Sequence, residues 1–219
     1  EAIPEYFTLN KIYLAEYPPI FVGSGRRKPA VNDALVSAIN NGTLIVNYIG
    51  HGNPKVWAHE NIFEQSTTIP RLNNDKYFFL SAATCDFALF DNPSILSSTE
   101  EMLVMKNAGI IGGVAAVRPV YSTSNYYFNL DLFEKLLIEK DAEGLPRRLG
   151  VAYMLTKQGR TSSNDERFHL FGDPSIRLNI PKIKAYIDKV NGNQVDTQVN
   201  INALGNVNIE GSVRNADSS

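Results

Sequence analysis

Three short runs of apolar residues, each bounded by glycine or another turn residue, punctuate the first half of this chain. Residues 43–49 read Thr-Leu-Ile-Val-Asn-Tyr-Ile between Gly42 and Gly50. Residues 77–83 and 109–117 follow the same plan. Continuous apolar runs of this length, rather than alternating ones, predict strands buried on both faces, as in a parallel sheet. The intervening stretches carry the helical period. Pro29–Asn40 places Ala34, Leu35, Ala38 and Ile39 on one side, with Pro29 suited to the first turn and Asn41-Gly42 as the stop. A second helix is predicted over about 97–106, with Ser98 and Glu101 spaced as a capping box. A third spans about 124–140 with Leu130, Phe133, Leu136 and Leu137 on one face, and Tyr126-Tyr127-Phe128 reads as part of its packing. A fourth covers about 146–158. Strands alternating with helices predict an α/β layered domain with a mostly parallel sheet.

The pattern changes after Pro181. Val195, Val199, Ile201, Val207, Ile209 and Val213 fall between turn signals such as Asn191-Gly192-Asn193 and Leu204-Gly205-Asn206. Residues 182–219 therefore read as the first strands of a β-sandwich, and residues 1–181 as the α/β domain. Residues 1–29 are broken by Tyr17-Pro18-Pro19 and Gly23-Ser24-Gly25, and the triplet Arg26-Arg27-Lys28 reads as a solvated loop. There is no internal repeat.

Composition narrows the function classes. The 219 residues are 43% hydrophobic and 20% charged with a net charge of -2, which gives no electrostatic footprint for nucleic acid or an anionic membrane. No apolar run approaches the roughly 20 residues a membrane span needs. Glu1-Ala2-Ile3-Pro4-Glu5 has neither the basic nor the apolar region of a signal peptide, and the ending at Ser218-Ser219 reads as a cut within something longer. A single cysteine, Cys85, excludes an intrachain disulfide framework.

That cysteine is placed where chemistry is expected. Ligands of open α/β sheets bind at the carboxyl ends of strands. His51, within Gly50-His51-Gly52, follows the first predicted strand, and Cys85, within Thr84-Cys85-Asp86, follows the second. A thiol next to an imidazole is a potent nucleophile, and the two need be adjacent only in space. The backbone N–H groups of Gly52 and Cys85 are the natural pair for an oxyanion hole. The alternative is a tight turn with a satisfied histidine and a core cysteine. A metal site combining His59 and His169 with Cys85 or Asp86 lacks the closely spaced ligand pairs of structural zinc, so no metal or other cofactor is expected. Asp86 is a candidate for substrate contact. Asp173-Pro174 reads as a turn after a strand, and Glu100-Glu101 as a helix start.

The segment 46–52, with Trp57 five residues beyond Gly52, resembles the catalytic-histidine segment of the gingipain family of cysteine peptidases. Residues 80–87 resemble that family's nucleophile segment, in the same order and at a similar spacing. Within the family, residues 83–87 followed by Phe90-Asp91-Asn92-Pro93 are most similar to the branch of type IX secretion sortases, as are 109–117, 170–175 and the segment with Asp196-Thr197 and Ala203-Leu204. The resemblance covers roughly 30–215. It implies a caspase-like α/β fold followed by an immunoglobulin-like domain. It also implies catalysis by His51 and Cys85 through a thioester, with Trp57 as a wall of the substrate cleft. The sortase branch implies a substrate in the C-terminal sorting domains of secreted proteins. It further implies an acceptor amine on lipopolysaccharide, other secretion-system subunits as partners, and a place on the bacterial outer-membrane surface. Hydrolytic proteolysis, or a non-catalytic scaffold role in secretion, are the competing readings. The family's orienting acidic residue lies upstream of the histidine motif and falls near or before residue 1, so no third catalytic member is assigned.

Overall fold

The computed structural model describes residues 3–4, 6–23, 25–180, 183–195 and 199–215. The expected boundary at Pro181 and the Asp196-Thr197 pair lie outside the described residues. Thr8–Leu178 belong to one compact unit, and the chain from Asn179 onward belongs to a second.

After a 3-10 turn at Leu14–Glu16, the first unit has a hairpin of β1 (Ile20–Val22) and β2 (Gly25–Arg27), followed by helix α1 (Pro29–Asn40) and strand β3 (Ile45–Ile49). A second hairpin pairs β4 (Val56–Trp57) with β5 (Phe63–Glu64) and runs into the short helix α2 (Gln65–Thr68). Strand β6 (Phe78–Ala83), helix α3 (Ser98–Val104) and strand β7 (Ile110–Ala116) come next. Helix α4 (Ser122–Phe133) continues as a π-helical turn over Glu134–Ile138, and α5 (Leu149–Lys157), α6 (Ser163–Glu166) and β8 (Phe168–Gly172) complete the unit. The central sheet has the order β3-β6-β7-β8, with the first three strands parallel and β8 antiparallel to β7. All six residues of β6 are buried, as the interior strand of a covered parallel sheet requires. The fold is thus the mixed α/β, mostly parallel architecture expected from the alternation of apolar runs and helical stretches.

Local differences have identifiable causes. The capping box at α3 sits one residue earlier than the spacing predicts: Ser97 N and Ser97 Oγ both donate to Glu100 Oε2, at 3.0 and 2.6 Å. The fourth helix starts at Leu149, because Pro146 and Arg148 instead form isolated bridges to Lys140 and Arg177. In α4 the inward face is Asn125, Phe128, Asn129, Leu132 and Phe133, whereas Tyr126 and Tyr127 point outward and Leu130 is half-buried. The Arg26-Arg27-Lys28 triplet is not a solvated loop. Two of its residues lie in β2, and Lys28 is buried with its Nζ donating to the carbonyls of Leu14 and Tyr17.

The second unit is all-β. Strand β9 (Ile183–Val190) is flanked by β10 (Asn193–Gln194) and β11 (Ile209–Asn215), both antiparallel to it. Ile183, Ile187 and Val213 lie exposed on one face of this sheet, the kind of surface that the second layer of a β-sandwich covers.

Candidate functional site

Pairing register builds the site. β3 and β6 run parallel with Ile49 opposite Ala83, and Gly50 N donates to Ala83 O at 3.4 Å just beyond. His51 and Cys85 each lie two residues past that last pair, so they occupy matched positions at the carboxyl edge of two neighbouring strands. The loop after β7, Val117-Arg118-Pro119-Val120, flanks Cys85 on the other side, because β7 is the next strand in the sheet.

The histidine loop is held from its backbone. Tyr48 Oη and Ala58 N both donate to His51 O, each at 2.8 Å. Gly52 opposes Trp57 in an antiparallel bridge whose bonds run from Asn53 N to Val56 O and from Ala58 N to His51 O. The Gly52 N–H is therefore not used by that bridge, which suits the expected oxyanion donor. Gly52 also packs so closely that a Cβ there would collide with Thr84 Oγ1 and come within 2.8 Å of Val56 O. The residue before the cysteine and the residue after the histidine thus touch. Burial pushes the Tyr48 phenol up to about 12, against the Ala58 N–H, which lowers it, and with Glu60 adding to the rise.

Trp57 does not face a cleft. It is 3% exposed, stacks on Tyr48 at 4.4 Å and 10°, and packs against Phe63 and Phe87 at 4.8 and 5.0 Å. Its role is beneath the site: Tyr48 precedes His51, Phe87 follows Cys85, and the indole between them fixes one loop against the other. A wall formed directly by Trp57 is replaced by a core contact, since four aromatic rings from separate segments converge there.

Cys85 is half-buried, and its sulfur rests on the peptide of Val120. Val120 N donates to Sγ at 3.4 Å, and the thiol reaches Val120 O at 3.6 Å. The exposed His51 ring stacks on His59, with centroids 5.4 Å apart. Among the described residues no hydrogen bond joins the imidazole to the thiol. Catalytic hydrogen bonds often tighten only when substrate is bound. Asp86 sits in the left-handed region at φ 56°. Burial raises its carboxyl above the ordinary range, with Arg118 and Arg167 pulling the other way. Arg118 itself is held in a two-pronged pair with Asp91, one bond measuring 2.9 Å.

The remaining histidine, His169, lies on β8 with Phe90 edge-on to it. No group of three or more His, Cys, Asp and Glu residues gathers to hold a metal ion among the described residues. Sequence reasoning had no signal for Val120, which contributes only its backbone. It also missed Asn125 and Asn164, two buried amides bonded to each other close to the cysteine.

Solved structures share this architecture. The crystal structure of gingipain R, an Arg-specific cysteine proteinase, superposes with a TM-score of 0.58 at 20% identity, over 71% of this chain and 39% of that one. The complex of the pro- and mature domains of RgpB from Porphyromonas gingivalis gives 0.57 at 18% identity, over 71% and 40%. A third structure, described as a protease, gives 0.55 at 18%, over 69% and 39%. At these identities the likeness is one of fold, and the chain spans about two fifths of the chains it matches. No curated protein matches the sequence. Residues 1–179 match the model of peptidase family C25. The chain therefore belongs to peptidase family C25, the family of the gingipains that its His51 and Cys85 segments resemble.

Proposed function

We propose that this chain carries the nucleophile, Cys85, and the general base, His51, of a cysteine peptidase. The observation that carries the reading is the register: two residue types that make acyl-transfer chemistry stand at equivalent positions past adjacent parallel strands. In this mechanism the imidazole rotates off His59 and takes the thiol proton. The sulfur attacks a peptide carbonyl, forming a C–S bond, and the oxyanion is met by the N–H groups of Gly52 and Cys85. His51 then returns the proton to the leaving amine as the C–N bond breaks. A thioester remains, and the acceptor decides the outcome. Water gives hydrolysis; an amine gives a new amide, with the cysteine re-protonated through His51.

For the acceptor and substrate we favour the sortase reading. The thioester forms on a secreted protein by removal of its C-terminal sorting domain and passes to an amine of lipopolysaccharide at the outer-membrane surface, beside other secretion-system subunits. Its support is the resemblance of residues 83–87 and 90–93 to that branch. In this reading Asp86, half-buried next to Cys85 in the chain, contacts the substrate.

The first test is iodoacetamide labelling of the sole thiol across pH, in wild type and His51→Ala. Labelling that persists on the acid side in wild type and is lost in His51→Ala supports the pair. Identical profiles remove it. The second test offers a peptide spanning a sorting-domain junction together with a soluble primary amine. A product carrying the amine supports transfer, whereas only hydrolysed peptide selects the plain protease. Turnover that survives Cys85→Ala would overturn both.

A further inference from the structure

The buried amides Asn125 and Asn164 have no part in the mechanism just given, yet they stand beside it. Asn164 is 4% exposed and Asn125 3%. Asn164 Oδ1 accepts from Tyr121 N at 2.7 Å, Asn164 Nδ2 donates to Asn125 Oδ1 at 3.2 Å, and Asn125 Nδ2 donates to Ala83 O at 3.3 Å. This relay begins one residue after Val120 and ends two residues before Cys85. Those are the two residues whose peptide and sulfur meet. The other side of Val120 is also tied down. Arg167 donates to Pro119 O, Val117 N donates to Arg167 O at 2.9 Å, and Arg118 bridges Val117 O and Asp91. Ser162 Oγ in turn accepts from Asn164 N at 3.2 Å and anchors the relay at the start of α6.

We infer that Asn164, acting through Asn125 and the Val120 peptide, is a positioning residue that seats the Cys85 sulfur for attack. This rests on the reading of Cys85 as the nucleophile. The Val120 N–H holds the sulfur from one side at 3.4 Å. The Val120 carbonyl holds the thiol proton until a base takes it. Loss of the acceptor for Tyr121 N leaves the segment held from its Pro119 side alone, so the Val120 peptide can turn away from the sulfur. A buried amide pair that only filled space would not set the geometry of a backbone donor on another loop. This one bonds to the two segments that must stay in register.

Two measurements test it. The first is the pH profile of iodoacetamide labelling for wild type, His51→Ala, and a protein in which the Val120 amide is replaced by an ester, which deletes the N–H alone. The ester is expected to slow labelling roughly tenfold at a fixed pH. An ester profile superimposed on wild type overturns the inference. Slowing in the ester with none in His51→Ala sinks the peptidase pair and leaves the seating intact; the reverse result sinks only the seating. The second measurement follows the S–H stretching band, which comes from a single cysteine here. Asn164→Ala should shift it toward a free thiol, while Asn164→Asp, which keeps the acceptor for Tyr121 N but loses the donor to Asn125 Oδ1, should recover only part of the wild-type position. A band unmoved in Asn164→Ala removes Asn164 from the role. Should that variant fail to fold, the ester still decides whether the Val120 amide acts on the sulfur.

Discussion

Gly52→Ala tests the geometry of the site with a single methyl group. Gly52 does not have a positive φ, so the substitution meets no conformational barrier and acts through space alone. The added Cβ would collide with Thr84 Oγ1 and lie 2.8 Å from Val56 O. Thr84 is fully buried and cannot swing away, and Val56 O is fixed by its bond from Asn53 N at 3.0 Å and by the pairing of Val56 with Glu64. The strain must therefore be relieved by moving the Gly52 backbone, which also moves His51 and the proposed oxyanion donor. Overpacking of this kind costs about 1–3 kcal/mol. With a urea slope near 2 kcal/mol/M, the midpoint falls by about 0.5–1.5 M. Trp57, the only tryptophan and buried directly beneath, reports the transition by fluorescence. Acid-side labelling of Cys85 should fall as well. Adding Thr84→Ala removes one obstacle and should recover only part of the loss, because the carbonyl remains. An unchanged urea midpoint together with unchanged labelling in Gly52→Ala would refute the close approach of the two loops.

Three further outcomes follow from the same contacts. Thr84 Oγ1 is buried with no hydrogen-bond partner among the described residues, so Thr84→Val should stabilise the fold by about 1 kcal/mol, read as a higher urea midpoint; a lower midpoint would reveal a partner. Trp57→Ala should cost about 3–5 kcal/mol, as for a large buried aromatic, and a loss confined to substrate affinity would return Trp57 to the cleft. Tyr48 loses its proton near pH 10 when unfolded and at about 12 when folded, so the folded state holds the proton more tightly. Stability therefore falls as pH rises from about 10 to about 12, and Tyr48→Phe should flatten that decline in urea titrations across the range. A decline of equal slope in Tyr48→Phe would assign it to other groups.

The parts of the site that were legible are those written in periodicity. Continuous apolar runs closed by Gly50 or by Thr84-Cys85 place His51 and Cys85 just past strands, but only β6 is buried on both faces as expected; β3 lies at an edge of the described sheet with Asn47 and Ile49 exposed. The alignment of His51 with Cys85 is another matter. The offset that sets Ile49 opposite Ala83 arises from pairing between segments more than thirty residues apart, and no local pattern encodes it. Trp57 shows the same limit, because its burial depends on Tyr48, Phe63 and Phe87 arriving from three different segments. The inward face of the α4 stretch was read in part: Phe133, Leu136 and Leu137 are buried as expected, but the buried Asn125 and Asn129 were missed for a chemical reason. A helical-period reading counts asparagine as outward, but burial of an amide costs little once its hydrogen bonds are made. Asn129 bonds Ser81 and Asn47, and Asn125 bonds Ala83 and Asn164. Lys28 was misplaced similarly, since two backbone carbonyls solvate its ammonium inside the fold. The seat of the thiol lies furthest from sequence. Val120 acts through its N–H and C=O, which nearly every residue possesses, so side-chain identity carries no trace of the role. What can be inherited in the sequence is the apparatus that aims that peptide, and in this chain the apparatus is polar: Arg167 on Pro119 O, and Asn164 on Tyr121 N. A buried polar group that never touches the cysteine, such as Asn164, is therefore where a backbone contact to its sulfur becomes visible.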